Sequence, residues 1–301
     1  MTNTPSTVVL ITGANSGIGF AIAKTIVLAS PDYHVIMGSR SLENGQNAVQ
    51  AIQSSEATKG SLSSVQLDVT DPTSTASAAK QIEAQFGRVD VLVNNAGVFS
   101  QSHVTKTAME ETFAVNSIGP ALVSEVCNPL LMKSARPYSI FISSILGSLS
   151  EAADPSSSVH YYDGVAYRMS KAALDTLVVQ QHKQFSPKGI RVFAVCPGLV
   201  RSNLRGKSEE DVSAGGRAGD PMVPAEMILG IIQGKRDADA GKFLRGDMVL
   251  NWIGGYPEYQ GWSQFGAGQP KLERQTKAVG HTLDTHMLKA GDMNTEDFMN
   301  V

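Results

Sequence analysis

The sequence predicts an α/β protein: a doubly wound parallel sheet in a single domain over residues 1–252, followed by a C-terminal extension over 253–301. Three observations carry this expectation. Short apolar, β-branched runs alternate with segments of helical periodicity. The first run, Val8–Ile11, passes directly into a glycine turn, Thr12-Gly13-Ala14-Asn15-Ser16-Gly17-Ile18-Gly19. The residues best suited to chemistry fall at the carboxyl ends of the predicted strands, where open α/β sheets bind ligands.

Val8–Ile11 reads as a strand buried on both faces. Ile18, Ala21, Ile22 and Ile26 then recur at helical spacing. Strand, glycine turn and helix in that order make a dinucleotide site. Gly13 permits the tight turn, Gly17 lets backbone approach a pyrophosphate, and Gly19 allows close helix–strand packing. Further strands are expected at His34–Ser39, Ser64–Leu67, Val89–Val93, Tyr138–Ser143, Arg191–Val195 and Lys242–Leu244. Helices are expected at Leu42–Ser54, Pro72–Phe86, Ala108–Met132 and Val165–Phe185. Asp71-Pro72 supplies a cap followed by a first-turn proline. Pro187 and Gly189 stop the last of these helices.

Composition narrows the function. The chain has 301 residues, enough for one large domain with an extension, and a net charge of -3. That balance argues against a nucleic-acid partner. No apolar stretch is long enough to span a membrane, and the N-terminus lacks a basic-plus-apolar signal. Cys127 and Cys196 show no spacing pattern, which suits reduced thiols and a cytoplasmic location. His281 and His286 lack companion ligands at a recognisable spacing, so no metal site is expected.

Tyr167 and Lys171 stand at i and i+4, on one helix face. A free phenol has a pKa of about 10, and a neighbouring ammonium is expected to lower it towards the range useful for acid–base work. With the glycine turn, this pair points to hydride transfer at a nicotinamide ring with the phenol handling the proton.

The chain at this point resembles the short-chain dehydrogenase/reductase family over roughly residues 7–252, and its carbonyl-reductase-like members in particular. Thr12–Gly19 fits the family's glycine motif. Asn94-Asn95-Ala96-Gly97 follows the fourth strand, and Cys196-Pro197-Gly198-Leu199-Val200-Arg201-Ser202 fits the Pro-Gly segment beside the nicotinamide. The resemblance implies a Rossmann fold and a catalytic set of Asn116, Ser144, Tyr167 and Lys171. Asn116 is where the family keeps a helix-breaking Asn that holds a water linking Lys171 to solvent. Ser144 can hydrogen-bond the substrate oxygen where charge develops. Lys171 and Tyr167 also face the cofactor, with Gly13, Asn15, Ser16, Gly17, Ile18, Gly19, Asn95, Ala96, Gly97, Pro197, Gly198 and Val200. Asp68 and Val69 resemble the family's adenine contact.

The cofactor form is read from the second strand. An NAD site wants an acid about 20 residues past the glycines. Ser39 stands there instead, followed by Arg40. Arg suits a 2′-phosphate, so NADP(H) is expected. The competing reading is that Arg40 stacks on adenine with either cofactor. The implied activity is reduction of a carbonyl compound, or the reverse alcohol oxidation; the alternative is the same fold recruited for non-redox cyclisation or dehydration.

Three segments depart from the family plan. Ser144 and Tyr167 are further apart than in many members, and the extra segment Glu151–Asp163 carries His160, Tyr161 and Tyr162. These either line the substrate pocket or pack the insert onto the body. Arg201–Pro224 has the composition of a lid, and the C-terminal extension is expected near the substrate pocket. The insert is expected to cover the helices through which many relatives associate, which makes a monomer the expected state.

Overall fold

The computed structural model describes residues 7–250 and Trp252. The 253–301 extension, with His281 and His286, lies outside the described residues. The chain runs β1 (Thr7–Thr12), α1 (Gly17–Ala29), β2 (Tyr33–Ser39), α2 (Leu42–Ser55), β3 (Ser61–Gln66), α3 (Pro72–Phe86) and β4 (Val91–Asn94). It continues with α4 (Thr105–Phe113), α5 (Gly119–Leu131), β5 (Tyr138–Ile142), α6 (Leu149–Ala153), α7 (Val165–Phe185) and β6 (Arg191–Val195). It closes with α8 (Glu209–Ser213), α9 (Met222–Ile232), β7 (Phe243–Arg245) and β8 (Met248–Leu250).

The strands form one sheet in the order β3-β2-β1-β4-β5-β6-β7-β8. All neighbours are parallel except β7 and β8, an antiparallel edge the sequence did not announce. Chain order reverses between β1 and β4, which opens the crevice where such sheets take ligands. The register brings Thr12 opposite Gly38, Asn94 opposite Phe141 and Ile142 opposite Val195. The segments that leave these strands therefore emerge along one edge.

Alternate residues of the central strands feed two cores. Val8, Leu10, Leu92 and Phe141 pack with α3, α5 and α7. Val9, Ile11, Val93 and Ile140 pack with α1, α2 and α9. Burial on both faces explains why these strands read as continuous apolar runs. Asp71 caps α3 by accepting from the Thr73 amide at 2.8 Å, and Gly87 ends that helix at φ +74°.

Two expectations are corrected. The periodicity predicts one helix over Ala108–Met132; instead a wide π turn, Ala114–Ile118, separates α4 from α5. The third strand begins at Ser61 rather than Ser64, because an edge strand half open to solvent tolerates the polar run Ser61–Ser64.

Candidate active site

A cleft of about 340 Å³ runs along the carboxyl edge of the sheet. Its walls include Gly13, Asn15, Ser16, Gly17, Ile18, Arg40, Asp68, Val69, Asn95, Ala96 and Gly97. Ser144, Tyr167, Lys171, Pro197, Gly198 and Val200 complete the predicted set that lines it. Gly19, Ser39 and Asn116 do not reach the wall. A smaller cavity between Ile145, Glu151 and Leu250 has Glu151 as its one titratable lining residue among those described.

The glycine turn is tight for stated reasons. Gly13 has φ +62°, and a Cβ there would lie 2.9 Å from Ala96 Cα. Gly19 touches no cleft wall; a Cβ on it would lie 2.5 Å from Asn95 Nδ2 and 2.7 Å from the Gly13 carbonyl oxygen. Asn95 locks this arrangement, its amide nitrogen donating to the carbonyls of Thr12 at 2.8 Å and Gly13 at 3.1 Å. Thr12 Oγ1 accepts from the backbone amides of Asn95 and Ala96 at 2.9 and 3.0 Å. Thr12 is thus a clasp between β1 and β4 that no single-strand pattern reveals. Ser39 is buried with its side chain against Gly45 of α2, whereas Arg40 is exposed at the mouth of the cleft.

Asn116 sits in the π turn and is fully buried. Its Oδ1 accepts from the Val98 amide at 2.8 Å. Its Nδ2 donates to the Val98 carbonyl at 2.9 Å and to Ser170 Oγ at 3.0 Å. Both amide hydrogens are committed, so the side chain fixes the loop after β4 against α7.

Tyr167 and Lys171 are nearly buried. Ser144 caps a short turn, its Oγ accepting from the Leu146 amide at 3.2 Å, and it hydrogen-bonds the phenol. Lys171 Nζ donates to the Ile142 carbonyl at 2.8 Å and stands 5.7 Å from the Tyr167 ring centre. The expected lowering of the phenol by Lys171 is not found. Burial raises the phenol's pKa above its ordinary value, the Cys196 sulfur adds to this, and Ser144 only partly opposes it. Burial also pulls Lys171 down to about 8, against the pull of Asp175.

Asp175, one turn beyond Lys171, was not singled out by the sequence. Its carboxyl lies under Gly147, where a Cβ would come within 3.0 Å of Oδ2, and it accepts a hydrogen bond from Ser143. Burial pushes its pKa up to about 7, although Ser143 and Lys171 hold it down. Folded Asp175 therefore keeps a proton that the unfolded chain releases from about pH 4 upward. Its stabilising contribution is complete below that point and is lost as pH rises to about 7. In thermal melts, the Tm of Asp175→Asn relative to wild type should climb across this window. A difference that stays flat with pH would show that Asp175 titrates as a solvated carboxyl.

The insert folds back on the start of α7. Arg168 donates to the carbonyls of Tyr162 at 3.2 Å and Leu146 at 3.1 Å, and to that of Val159. His160 Nδ1 bonds the Ala152 carbonyl at 2.8 Å. None of His160, Tyr161 and Tyr162 lines the cleft. The aromatic contact to Tyr167 comes from Phe99, with ring centres 5.4 Å apart. In the lid, Ser202, Asn203, Leu204 and Arg205 join the lining; Ser202 belongs to the segment expected beside the nicotinamide, whereas Asn203, Leu204 and Arg205 were not named individually by the sequence pattern.

A doubly wound sheet whose switch point holds such a turn at one end and a buried Tyr–Lys pair at the other defines a dinucleotide-linked oxidoreductase. Residues 7–213 match the family model for short chain dehydrogenase, and the chain belongs to the short-chain dehydrogenase/reductase family. It is 32% identical over 259 residues to short-chain dehydrogenase/reductase tropE of Talaromyces stipitatus, covering 79% of this chain and 95% of that one. It is 31% identical to short-chain dehydrogenase/reductase eupG of a Phoma species, covering 82% and 98%. The NADPH-bound carbonyl reductase from chicken fatty liver is similar with a TM-score of 0.67 at 28% identity, over 81% of this chain and 98% of that one. The protein is accordingly an oxidoreductase of a small molecule. Among the described residues, no helix is long and apolar enough to cross a membrane.

Proposed function

We propose that the protein reduces a carbonyl compound with NADPH, or oxidises the corresponding alcohol, using Tyr167 as proton donor and acceptor. The observation that carries this reading is the grouping of Ser144, Tyr167 and Lys171 at one end of a cleft whose other end offers a glycine turn and an exposed arginine. The cleft fits a dinucleotide: Asn15, Ser16, Gly17 and Ile18 line it at the N-terminus of α1, which has no side-chain cap. Those residues would hold the pyrophosphate, Arg40 the 2′-phosphate, Asp68 and Val69 the adenine, and Pro197 to Val200 the nicotinamide. When bound, the nicotinamide supplies the hydride.

The remaining chemistry falls to the chain. Ser144 Oγ stabilises the negative charge that develops on the carbonyl oxygen. Tyr167 delivers its hydroxyl proton to that oxygen, and its raised pKa keeps the proton in place until then. Lys171 holds the ribose and the electrostatic balance beside the phenol. Asn116 keeps the loop after β4 in position. NADPH absorbance should fall when ketones and aldehydes are added. Product formation with no net NADPH consumption would favour non-redox cyclisation or dehydration, which a protonated phenol can also serve.

We also propose a cytoplasmic location, a reading that the two buried free cysteines support. We also keep the monomer as the expected state, although the insert does not supply the masking. Ile118, Val165 and Met169 remain 54%, 58% and 45% exposed after it folds back. Light scattering on the full chain should give a mass near 32.0 kDa. A stable mass of two or four chains overturns this and implicates those side chains in the contact.

A further inference from the structure

We propose that Arg205 tunes the cleft to carbonyl substrates that carry an anionic oxygen, such as a carboxylate, close to the reacting carbonyl. This rests on the reductase reading above and specifies its substrate class.

Arg205 lines the same cleft as Ser144, Tyr167 and Lys171. It is half-buried and held rigidly. Its Nε donates to the Asp211 carbonyl at 3.0 Å, and its Nη2 to the carbonyls of Val200 and Val212 at 3.1 and 3.0 Å. Gln101, from the loop after β4, grips the Arg205 carbonyl at 3.2 Å. These bonds use three of the five guanidinium N–H groups. The two on Nη1 have no protein partner among the described residues.

The charge is also uncompensated. Arg201, on the same lid, pairs with Glu209 at 2.9 Å. No carboxylate pairs with Arg205 among the described residues. Of the cleft-lining residues, Asp68 is the one acid, and it stands with Arg40 on the β2–β3 side of the sheet. The reacting end therefore holds Lys171 and Arg205 with no carboxylate on its wall. Arg205 and Tyr167 line the same cleft, and the guanidinium charge acts in a small way against the burial that raises the phenol's pKa. A half-buried guanidinium with free donors and no counter-ion is a preorganised receptor for an anionic oxygen. Its nearness to the phenol puts that anion near the carbonyl being reduced.

The test compares 3-carboxybenzaldehyde with its methyl ester, two aldehydes of similar intrinsic reactivity. Wild type should favour the carboxylate in kcat/KM by about tenfold or more, mainly through KM. Arg205→Gln should bring that ratio close to one. Arg205→Lys, which keeps the charge but not the fork, should fall between. Arg201→Gln should leave the ratio as in wild type. A wild-type enzyme indifferent to the charge overturns the proposal, and so does an Arg205→Gln variant that keeps the preference. A loss of NADPH affinity beyond about tenfold in Arg205→Gln also overturns it, since Arg205 then serves the cofactor. If neither aldehyde is reduced, the reductase reading is in question and Arg205 is judged by calorimetry with NADPH present. Benzoate binding more tightly than benzamide to wild type alone supports the receptor; equal binding in wild type and Arg205→Gln overturns it.

Discussion

Tyr167→Phe should lower kcat by about 10²- to 10⁴-fold while leaving NADPH affinity close to wild type. The ring fills the same space, packed 5.4 Å from Phe99 and beneath the Lys171 ammonium. What disappears is the one hydroxyl in the cleft that combines burial, a hydrogen bond to Ser144 and a proton it retains at neutral pH. The loss should appear in kcat rather than KM, because the proton moves only in the transition state. A variant that keeps more than a tenth of wild-type kcat has lost less than about 1.4 kcal/mol of barrier lowering. Another group would then be the principal acid.

Arg40→Ala should lower the preference for NADPH over NADH by about tenfold to a hundredfold. Arg40 follows directly on β2, lies exposed at the cleft mouth, and has no acidic neighbour between Asp32 and Glu43 to recognise a plain ribose. A dianionic phosphate beside a guanidinium gains charge-assisted bonds, whereas NADH has nothing there to lose. Exposure to solvent keeps the effect below that of a buried pair. Titrating both cofactors by fluorescence decides it. Wild-type protein that binds NADH as tightly as NADPH, or a variant with an unchanged ratio, leaves Arg40 as a stacking platform for adenine.

What the sequence made legible was local. Val8–Ile11 could be read as a doubly buried strand because its own residues carry the pattern, and Asp71-Pro72 announced a helix start because caps are decided within one turn. The motifs and the family resemblance named seventeen positions that prove to line one cleft, and the alternation of strands and helices explains why they meet, since parallel strands all release their loops on the same side. The rest depends on neighbours distant in the chain. Thr12 looks like any strand-ending threonine until β4 arrives beside it. Asp175 reads as the polar face of a helix until the Gly147 turn closes over it. Arg205 reads as one more charge in a polar segment until the lid backbone clamps it. β8 escaped notice because Met248 and Val249, at 57% and 46% exposed, bury too little to leave a pattern. The phenol's raised pKa was missed for the same reason: spacing reveals a neighbouring ammonium but not the depth at which both groups are buried.

The π turn at Ala114–Ile118 can also be seen as a matter of helical phase. A widened turn of this kind accommodates one residue beyond what a regular helix would need, and the helix on its far side continues in step. The apolar stripe of α5, Val123, Cys127 and Leu130, therefore keeps its seat in the core whether or not the extra residue is present. Losing one residue there would let α4 and α5 merge into a plain helix with the core intact, yet Asn116 would no longer reach Val98 and Ser170. The fold and the site are written in separable registers at this point: the chain can forfeit the second in a single deletion while hardly disturbing the first.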